Sequence, residues 1–286
     1  MSDTQFAKVA VLGAGTMGAG IAQVCAQAGS TVVLQDITDE FVQKGLARVQ
    51  AFLQKGVDRG KTTEAVRDEV LSRITITSDR KEAATGADLV VEAVPEKLEL
   101  KNGLFRELAD IVSATCVLGS NTSSLSLAKV FEGVANPERC IGMHFFNPVP
   151  LMKLLELVRT DATSQATIDS VTVYSKQLGK EPIVVKDSPG FASSRLGVCL
   201  GLEAIRMLES GVASAEDIDK AMVLGYGHPM GPLKLTDLVG LDVRLAIADY
   251  LRTELDLAGF EAPELMRKMV ADGKLGKKSG QGFYVW

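Results

Sequence analysis

Short apolar runs alternate with helix-like stretches from the N-terminus to about residue 187, and beyond that point only helical spacing remains. Residues 6–12 read as a β-strand ending at Gly13. Residues 16–28, rich in Ala and Gln, read as a helix closed by Gly29, and 31–36 read as a second strand. Helical patterns follow at 39–57 and 62–72, then a short strand at 74–77. The run 88–94 has the near-continuous apolar character of a parallel strand buried on both faces. A helix at 98–111 leads to strands at 115–120, 140–146 and 154–159, a helix at 164–178 and a last strand at 181–186. Such alternation predicts an α/β fold built on a doubly wound, mostly parallel sheet.

Asp187-Ser188-Pro189-Gly190 breaks the pattern, and no convincing strand follows between 191 and 272. Leu196, Leu200, Ala204, Met207 and Leu208 mark one apolar face of a long helix. Ser214-Ala215-Glu216-Asp217 has the N-cap spacing that opens another. The expected organisation is a sheet domain over 1–186 and an all-helical C-terminal domain over 187–286. His228-Pro229-Met230-Gly231-Pro232 reads as a rigid connector, and Phe283, Tyr284 and Trp286 as a tail packed onto the fold.

Composition narrows the class without naming it. With 286 residues, 46% apolar and 23% charged, the chain can build a normal core. A net charge of −5 disfavours a nucleic-acid footprint. No apolar run approaches the ~20 residues of a membrane span. The N-terminus lacks a charged start followed by an apolar stretch, so the cytoplasm is the expected compartment. Cys25, Cys116, Cys140 and Cys199 lie far apart with no ligand spacing, so neither a metal site nor a disulfide framework is expected. Each is expected to be a small buried hydrophobe in a reducing compartment.

Two segments carry chemistry. Gly13-Ala14-Gly15-Thr16-Met17-Gly18 fits GxGxxG between a strand and a helix, within a unit of the right length. Gly13 permits the tight turn, Gly15 lets backbone approach a pyrophosphate, and Gly18 lets helix pack on strand. The N-terminal turn at Thr16 and Met17 offers N–H groups to phosphates. Asp36 ends the second strand about 20 residues on, where a carboxylate accepts from ribose hydroxyls and repels a 2′-phosphate. This is a Rossmann-type site for NAD rather than NADP. The second segment is Gly142-Met143-His144-Phe145-Phe146-Asn147-Pro148, which holds one of only two histidines. His144 follows a strand, as does Ser120-Asn121-Thr122-Ser123-Ser124, and Glu156 lies on the next strand. A neutral imidazole, a hydroxyl and an orienting carboxylate at strand ends suit removal of a proton from an alcohol.

These stretches, with Val91-Glu92-Ala93-Val94-Pro95-Glu96, Asp187-Ser188-Pro189-Gly190-Phe191, His228-Pro229-Met230-Gly231-Pro232 and Lys277-Lys278-Ser279-Gly280-Gln281-Gly282-Phe283-Tyr284, occur in one order along nearly the whole chain. In that order the chain resembles the L-3-hydroxyacyl-CoA dehydrogenases, on the side of the bacterial 3-hydroxybutyryl-CoA dehydrogenases. The resemblance implies His144 as catalytic base, Glu156 as its orienting carboxylate, and Ser123 as the hydrogen bond to substrate oxygen. It implies that Asn147 helps hold the site, and that Glu96, Lys101 and Lys278, with Ser123 and Asn147, contact NAD. It implies an acyl-CoA substrate, with Lys55 on a basic helix (Lys44, Arg48, Lys55, Arg59, Lys61) as a phosphate contact. It implies a homodimer formed through the helical domain. One position departs from the family: Ser194 stands where relatives commonly carry a site Asn. Two other readings share the scaffold. One is an NAD-dependent dehydrogenase of a free hydroxy acid or sugar acid; the other is an NAD-binding structural protein with little turnover.

Overall fold

The computed structural model describes residues 4–286. Its strands are β1 (Lys8–Leu12), β2 (Thr31–Gln35), β3 (Ile74–Thr77), β4 (Leu89–Glu92), β5 (Val117–Ser120), β6 (Cys140–Phe145), β7 (Leu154–Arg159) and β8 (Glu181–Lys186). They form one sheet in the order β3-β2-β1-β4-β5-β6-β7-β8. Neighbours are parallel throughout except for β6 and β7. The connection 146–153 is too short to carry a crossover, which needs a dozen or more residues, so β7 turns back against β6. The chain leaves β1 toward β2 on one side and β4 lies on the other, which opens a crevice beyond the carboxyl ends of β1 and β4.

The helices of this unit are α1 (Thr16–Gln27), α2 (Asp39–Asp58), α3 (Glu64–Ser72), α4 (Arg80–Ala84), α5 (Leu98–Ile111), α6 (Leu127–Val130) and α7 (Gln165–Gln177). Thr38, Thr63 and Ser164 cap α2, α3 and α7 by accepting from backbone N–H groups of the first turn. The helix expected from residue 62 therefore starts at Glu64, because Thr63 serves it better as a cap. The short helices α4 and α6 have too few turns to show a period in the sequence. Val9, Val11, Leu34, Val91, Ile141 and Leu157 pack the sheet against helix residues such as Ile21, Val24, Val49 and Val171.

The chain divides at Asp187, and a second unit runs from Ser188 to Trp286. It contains α8 (Ser193–Glu209), α9 (Ala215–Tyr226), α10 (Pro232–Val239), α11 (Leu241–Leu255) and α12 (Glu264–Ala271). Its core gathers Val198, Leu202, Ile205, Ile218, Leu233, Leu251 and Met266. The buried face of α8 comprises Val198, Leu202, Ala204 and Ile205, with Met207 and Leu208 packed against the same core; of the expected stripe Ala204, Met207 and Leu208 thus face the core, whereas Leu196 is 71% exposed. Cys199, next to Val198 and turned away from that core, is exposed, against the expectation of a buried thiol. Cys25, Cys116 and Cys140 are buried, and burial pushes their thiols up to about 12.

Two buried carboxylates explain the connector and the tail. Asp219 accepts from the backbone N–H of Leu233 (2.8 Å) and Lys234 (2.9 Å), at the start of α10, and from the Tyr284 hydroxyl (2.8 Å). Gly231 must be glycine for this approach, since a Cβ there would lie 2.2 Å from Asp219 Cβ. Pro232 opens α10, where its missing N–H costs no intrahelical bond. Asp237, fully buried, accepts from Phe283 N (3.0 Å), Tyr284 N (2.9 Å) and Trp286 Nε1 (2.9 Å). The tail therefore docks through one carboxylate, and the Asp237→Ala variant leaves three donors without their acceptor. It is expected to lose about 2–4 kcal/mol of stability. Urea titration followed by emission of Trp286, the chain's one tryptophan, checks this: the native-state emission shifts to the red and the midpoint falls. An unchanged midpoint would remove Asp237 from this role.

Candidate active site

Gly13 follows β1 with φ +98°, a left-handed conformation, and a Cβ there would sit 2.6 Å from the Ala93 carbonyl oxygen. At Gly18 a Cβ would lie 1.7 Å from the Gly13 oxygen, so the close packing of α1 on the turn requires glycine. Gly15 differs: a Cβ there meets nothing within 4 Å. It is also the N-cap of α1 and brings no side-chain hydrogen bond to the helix end. The N–H groups of Thr16 and Met17 thus begin a helix whose mouth faces open space, the arrangement that receives a pyrophosphate. Asp36 accepts from Ala14 N and Ile37 N, each at 2.7 Å, so the carboxylate also fixes the glycine turn. Gly13, Gly15, Thr16, Met17 and Asp36 line one cleft of about 850 Å³ that continues along Ala93, Val94 and α5. These dimensions and donors fit a dinucleotide.

Met17, Ala93 and Val94 are shared with a second cavity, of about 360 Å³, lined by Glu96, Lys101, Asn121, Ser123, His144, Phe146 and Asn147. His144 is the penultimate residue of β6 and stands directly opposite Glu156 in the antiparallel register with β7. Directly opposed residues share one face of the sheet. His144 Nδ1 lies 2.7 Å from Glu156 Oε2, and the carboxylate has no exposure to water. An ionised carboxylate only accepts, so Nδ1 carries the proton and Nε2 is the basic nitrogen of the neutral ring. The Phe146 ring lies 4.5 Å from the imidazole, centroid to centroid.

Behind Ser123 runs a chain of charge, from the half-exposed Glu96 to the buried Lys101 and Glu92. Glu96 Oε1 accepts from Thr122 Oγ1 (2.5 Å), Ser123 N (3.0 Å) and Ser124 N (3.3 Å), fixing the turn after β5. Lys101, on α5, is 1% exposed, and its ammonium meets Glu92 at 2.5 Å, Glu96 at 3.2 Å and the Val94 carbonyl at 3.2 Å. Neither a surface cation nor a loosely placed one, it has three protein acceptors. Burial raises the Glu92 carboxyl, with Lys101 and Ser120 pulling the other way. Burial would also raise Glu96, but the Lys101 charge and the donors from Thr122 and Ser123 outweigh it and hold that carboxyl below its usual range.

Two members of this arrangement were not among the residues singled out from the sequence. Glu92 is the only charged residue in the run 88–94 after its opening Asp88, and an acid inside a buried strand requires a partner; that was the available signal. Asn121 accepts from Phe145 N (2.9 Å) and so ties the turn after β5 to the strand that holds His144. Nothing in its spacing marks it.

Of the remaining sequence-selected residues only Asn147 reaches this cavity. Asn147 is exposed on the rim of the His144 cavity. Lys55 is exposed on α2, which also lines, with Arg48 and Phe52, a slot of about 190 Å³ against α1 and the 147–150 turn. Ser194 lies in the first turn of α8, in the second unit. Lys278, in the same unit, pairs with Asp242 through both carboxylate oxygens at 2.5 and 2.6 Å.

Residues 8–188 match the family described as "3-hydroxyacyl-CoA dehydrogenase, NAD binding domain", and residues 190–286 match its C-terminal domain. The probable 3-hydroxybutyryl-CoA dehydrogenase of Deinococcus radiodurans is 46% identical over 279 residues, spanning 98% of this chain and 100% of that protein. The human mitochondrial hydroxyacyl-coenzyme A dehydrogenase is 44% identical, over 97% of this chain and 90% of its own length. The crystal structure of (S)-3-hydroxybutyryl-CoA dehydrogenase from Ralstonia eutropha superposes with a TM-score of 0.94 at 44% identity, covering 98% of this chain and 99% of that one. Matched in both halves and alongside relatives of its own length, the chain belongs to the 3-hydroxyacyl-CoA dehydrogenase family and carries that family's NAD-binding domain.

Proposed function

We propose that the protein interconverts (S)-3-hydroxyacyl-CoA and 3-ketoacyl-CoA, with the short-chain 3-hydroxybutyryl-CoA as its substrate and His144 as general acid and base. The observation that carries this reading is the buried 2.7 Å contact between His144 and Glu156 inside a cavity continuous with the dinucleotide cleft. In the oxidative direction His144 Nε2 takes the proton of the C3 hydroxyl, and in the reductive direction the imidazolium returns it. Glu156 holds the ring in the productive tautomer and stabilises the imidazolium. Ser123 donates to the substrate oxygen, and Asn147 holds the ring end of the site from the opposite rim. NAD, bound along the glycine turn and Asp36 and reaching Glu96, supplies the hydride acceptor.

The basic face of α2 supports a CoA substrate, with Lys55 as a phosphate contact. The family resemblance adds Ser194 to the substrate side and Lys278 to the cofactor side. Ser194 offers one hydroxyl where an amide is usual, which bears on acyl preference and rate rather than on the reaction. Exposed apolar side chains on the second unit, Leu196 (71%), Leu224 (81%) and Tyr226 (79%), support a homodimer formed through the helical unit. We place the protein in the cytoplasm: three of its free cysteines are buried thiols, and among the described residues no helix is long and apolar enough to cross a membrane.

Following NADH absorbance tests the reaction. Acetoacetyl-CoA should be reduced with a higher kcat/KM than longer 3-ketoacyl-CoAs and than free acetoacetate, and with NADH in preference to NADPH. Turnover of acetoacetate alone would instead support the free-acid reading, and equal or better use of NADPH would overturn the role given to Asp36. His144→Ala should lose at least about two decades of kcat while NADH affinity stays near parental. A variant turning over at the parental rate would remove His144 from the chemistry. Light scattering at assay concentration should return about twice the 30.5 kDa chain mass, and a monomer would overturn the dimer.

A further inference from the structure

We propose that Glu92 is a positioning residue for this site, acting through Lys101 on Glu96 and through Glu96 on the turn that carries Ser123. The inference rests on reading the His144 cavity as the place of reaction. Glu92 ends β4, stands opposite Leu12 of β1 and Ser120 of β5, and has no exposure to water. Its Oε1 accepts from Lys101 Nζ (2.5 Å) and Val94 N (2.7 Å), and its Oε2 from Ser120 Oγ (2.7 Å). Its carboxylate is thereby satisfied, and Glu92 itself does not line the cavity, although its partners Lys101 and Val94 do.

What reaches the cavity is the next link. The Lys101 ammonium stands between Glu92 and Glu96, so two carboxylates share one cation. With Glu92 charged, Lys101 is anchored from behind at 2.5 Å and touches Glu96 Oε2 only at 3.2 Å. Glu96 Oε1 is then left to organise Thr122, Ser123 and Ser124. Neutralising Glu92 leaves a buried ammonium with a single carboxylate partner. The attraction of that buried ammonium then draws the half-exposed Glu96 toward Lys101 and away from the turn. Ser123 loses the acceptor that sets its backbone, and the cofactor side of the cavity loses the placement of Glu96. The effect passes along charge: a glutamine with its amide oxygen in the place of Oε1 still accepts from Val94 N, and its NH2 meets Ser120 Oγ with the hydroxyl turned to accept.

The test uses the full chain and two readouts: NADH affinity by fluorescence titration with no acyl-CoA present, and kcat and KM for acetoacetyl-CoA. Glu92→Gln is expected to weaken NADH binding and to lower kcat by about tenfold each, the scale of one lost charge-assisted hydrogen bond, with KM for acetoacetyl-CoA held within about threefold. In a Lys101→Met background the further Glu92→Gln change should move neither quantity by more than about twofold, since the relay is already cut. Additive losses in the double variant would overturn the relay, as would parental NADH affinity and kcat in folded Glu92→Gln. Should Glu92→Gln not fold, Glu92→Asp keeps the charge but withdraws it from Lys101 by one methylene. It should show a smaller loss in both readouts, and parental values there would equally overturn the proposal. A parent protein with no turnover on any 3-ketoacyl-CoA would defeat the functional reading while leaving the NADH titration to judge Glu92.

Discussion

Where a parallel sheet reverses direction once, it can put a carboxylate of one strand face to face with a histidine of the next. The short 146–153 connection forces that reversal, and the antiparallel register then sets Glu156 opposite His144 with no loop flexibility between them. A fully buried carboxylate beside an imidazole is costly unless the contact is well made. Here it is made at 2.7 Å. The tautomer, the basic nitrogen and the direction in which the ring presents it all follow from this one contact. The turn after β5 is tied to the same strand, because Asn121 accepts from the backbone next to His144, and Ser123 lines the same cavity.

Carboxylates, most of them buried, recur as organisers elsewhere in the molecule. Glu92 and Glu96 work around one ammonium at the ends of β4 and β5. Asp219 seats the start of α10, and Asp237 seats the C-terminal tail, each by accepting backbone N–H groups that would otherwise have no partner. In both cases a glycine clears the space: Gly231 beside Asp219 and Gly282 beside Asp237. Gly231 and Gly282 thus serve close approach to a carboxylate, a different use from that of the glycine turn at the N-terminus.

What the sequence made legible was local and periodic. The sheet and its helices, the glycine turn with Asp36, and the strand-end place of His144 all leave marks within a few dozen residues. On α8 the apolar period picks out Ala204, Met207 and Leu208 of the core-facing side but also Leu196, which points away; Val198, Leu202 and Ile205 complete the buried face, and apolar period alone does not set the edges of such a stripe. Cys199 is exposed because a cysteine's small apolar side chain does not by itself decide on which side of the helix it falls. Asn121, Asp219 and Asp237 leave no local mark because their partners lie one or more elements away: Asp219 meets the start of α10, Asp237 meets residues beyond 282, and Asn121 meets Phe145. An acid in an apolar strand announces that a partner exists, but only the fold supplies Lys101.

Gly15 has a consequence of its own. Its neighbours in the motif, Gly13 and Gly18, are held by contacts with the protein's own backbone, so a methyl group at either position collides with the fold itself. At Gly15 the same methyl group would project into empty volume and disturb nothing already present. One short turn therefore contains two kinds of glycine. Gly13 and Gly18 are required by the architecture and would be so in a protein that bound nothing. Nothing in the fold itself requires Gly15, so a side chain there would leave the architecture intact and fill only the space at the mouth of the cleft.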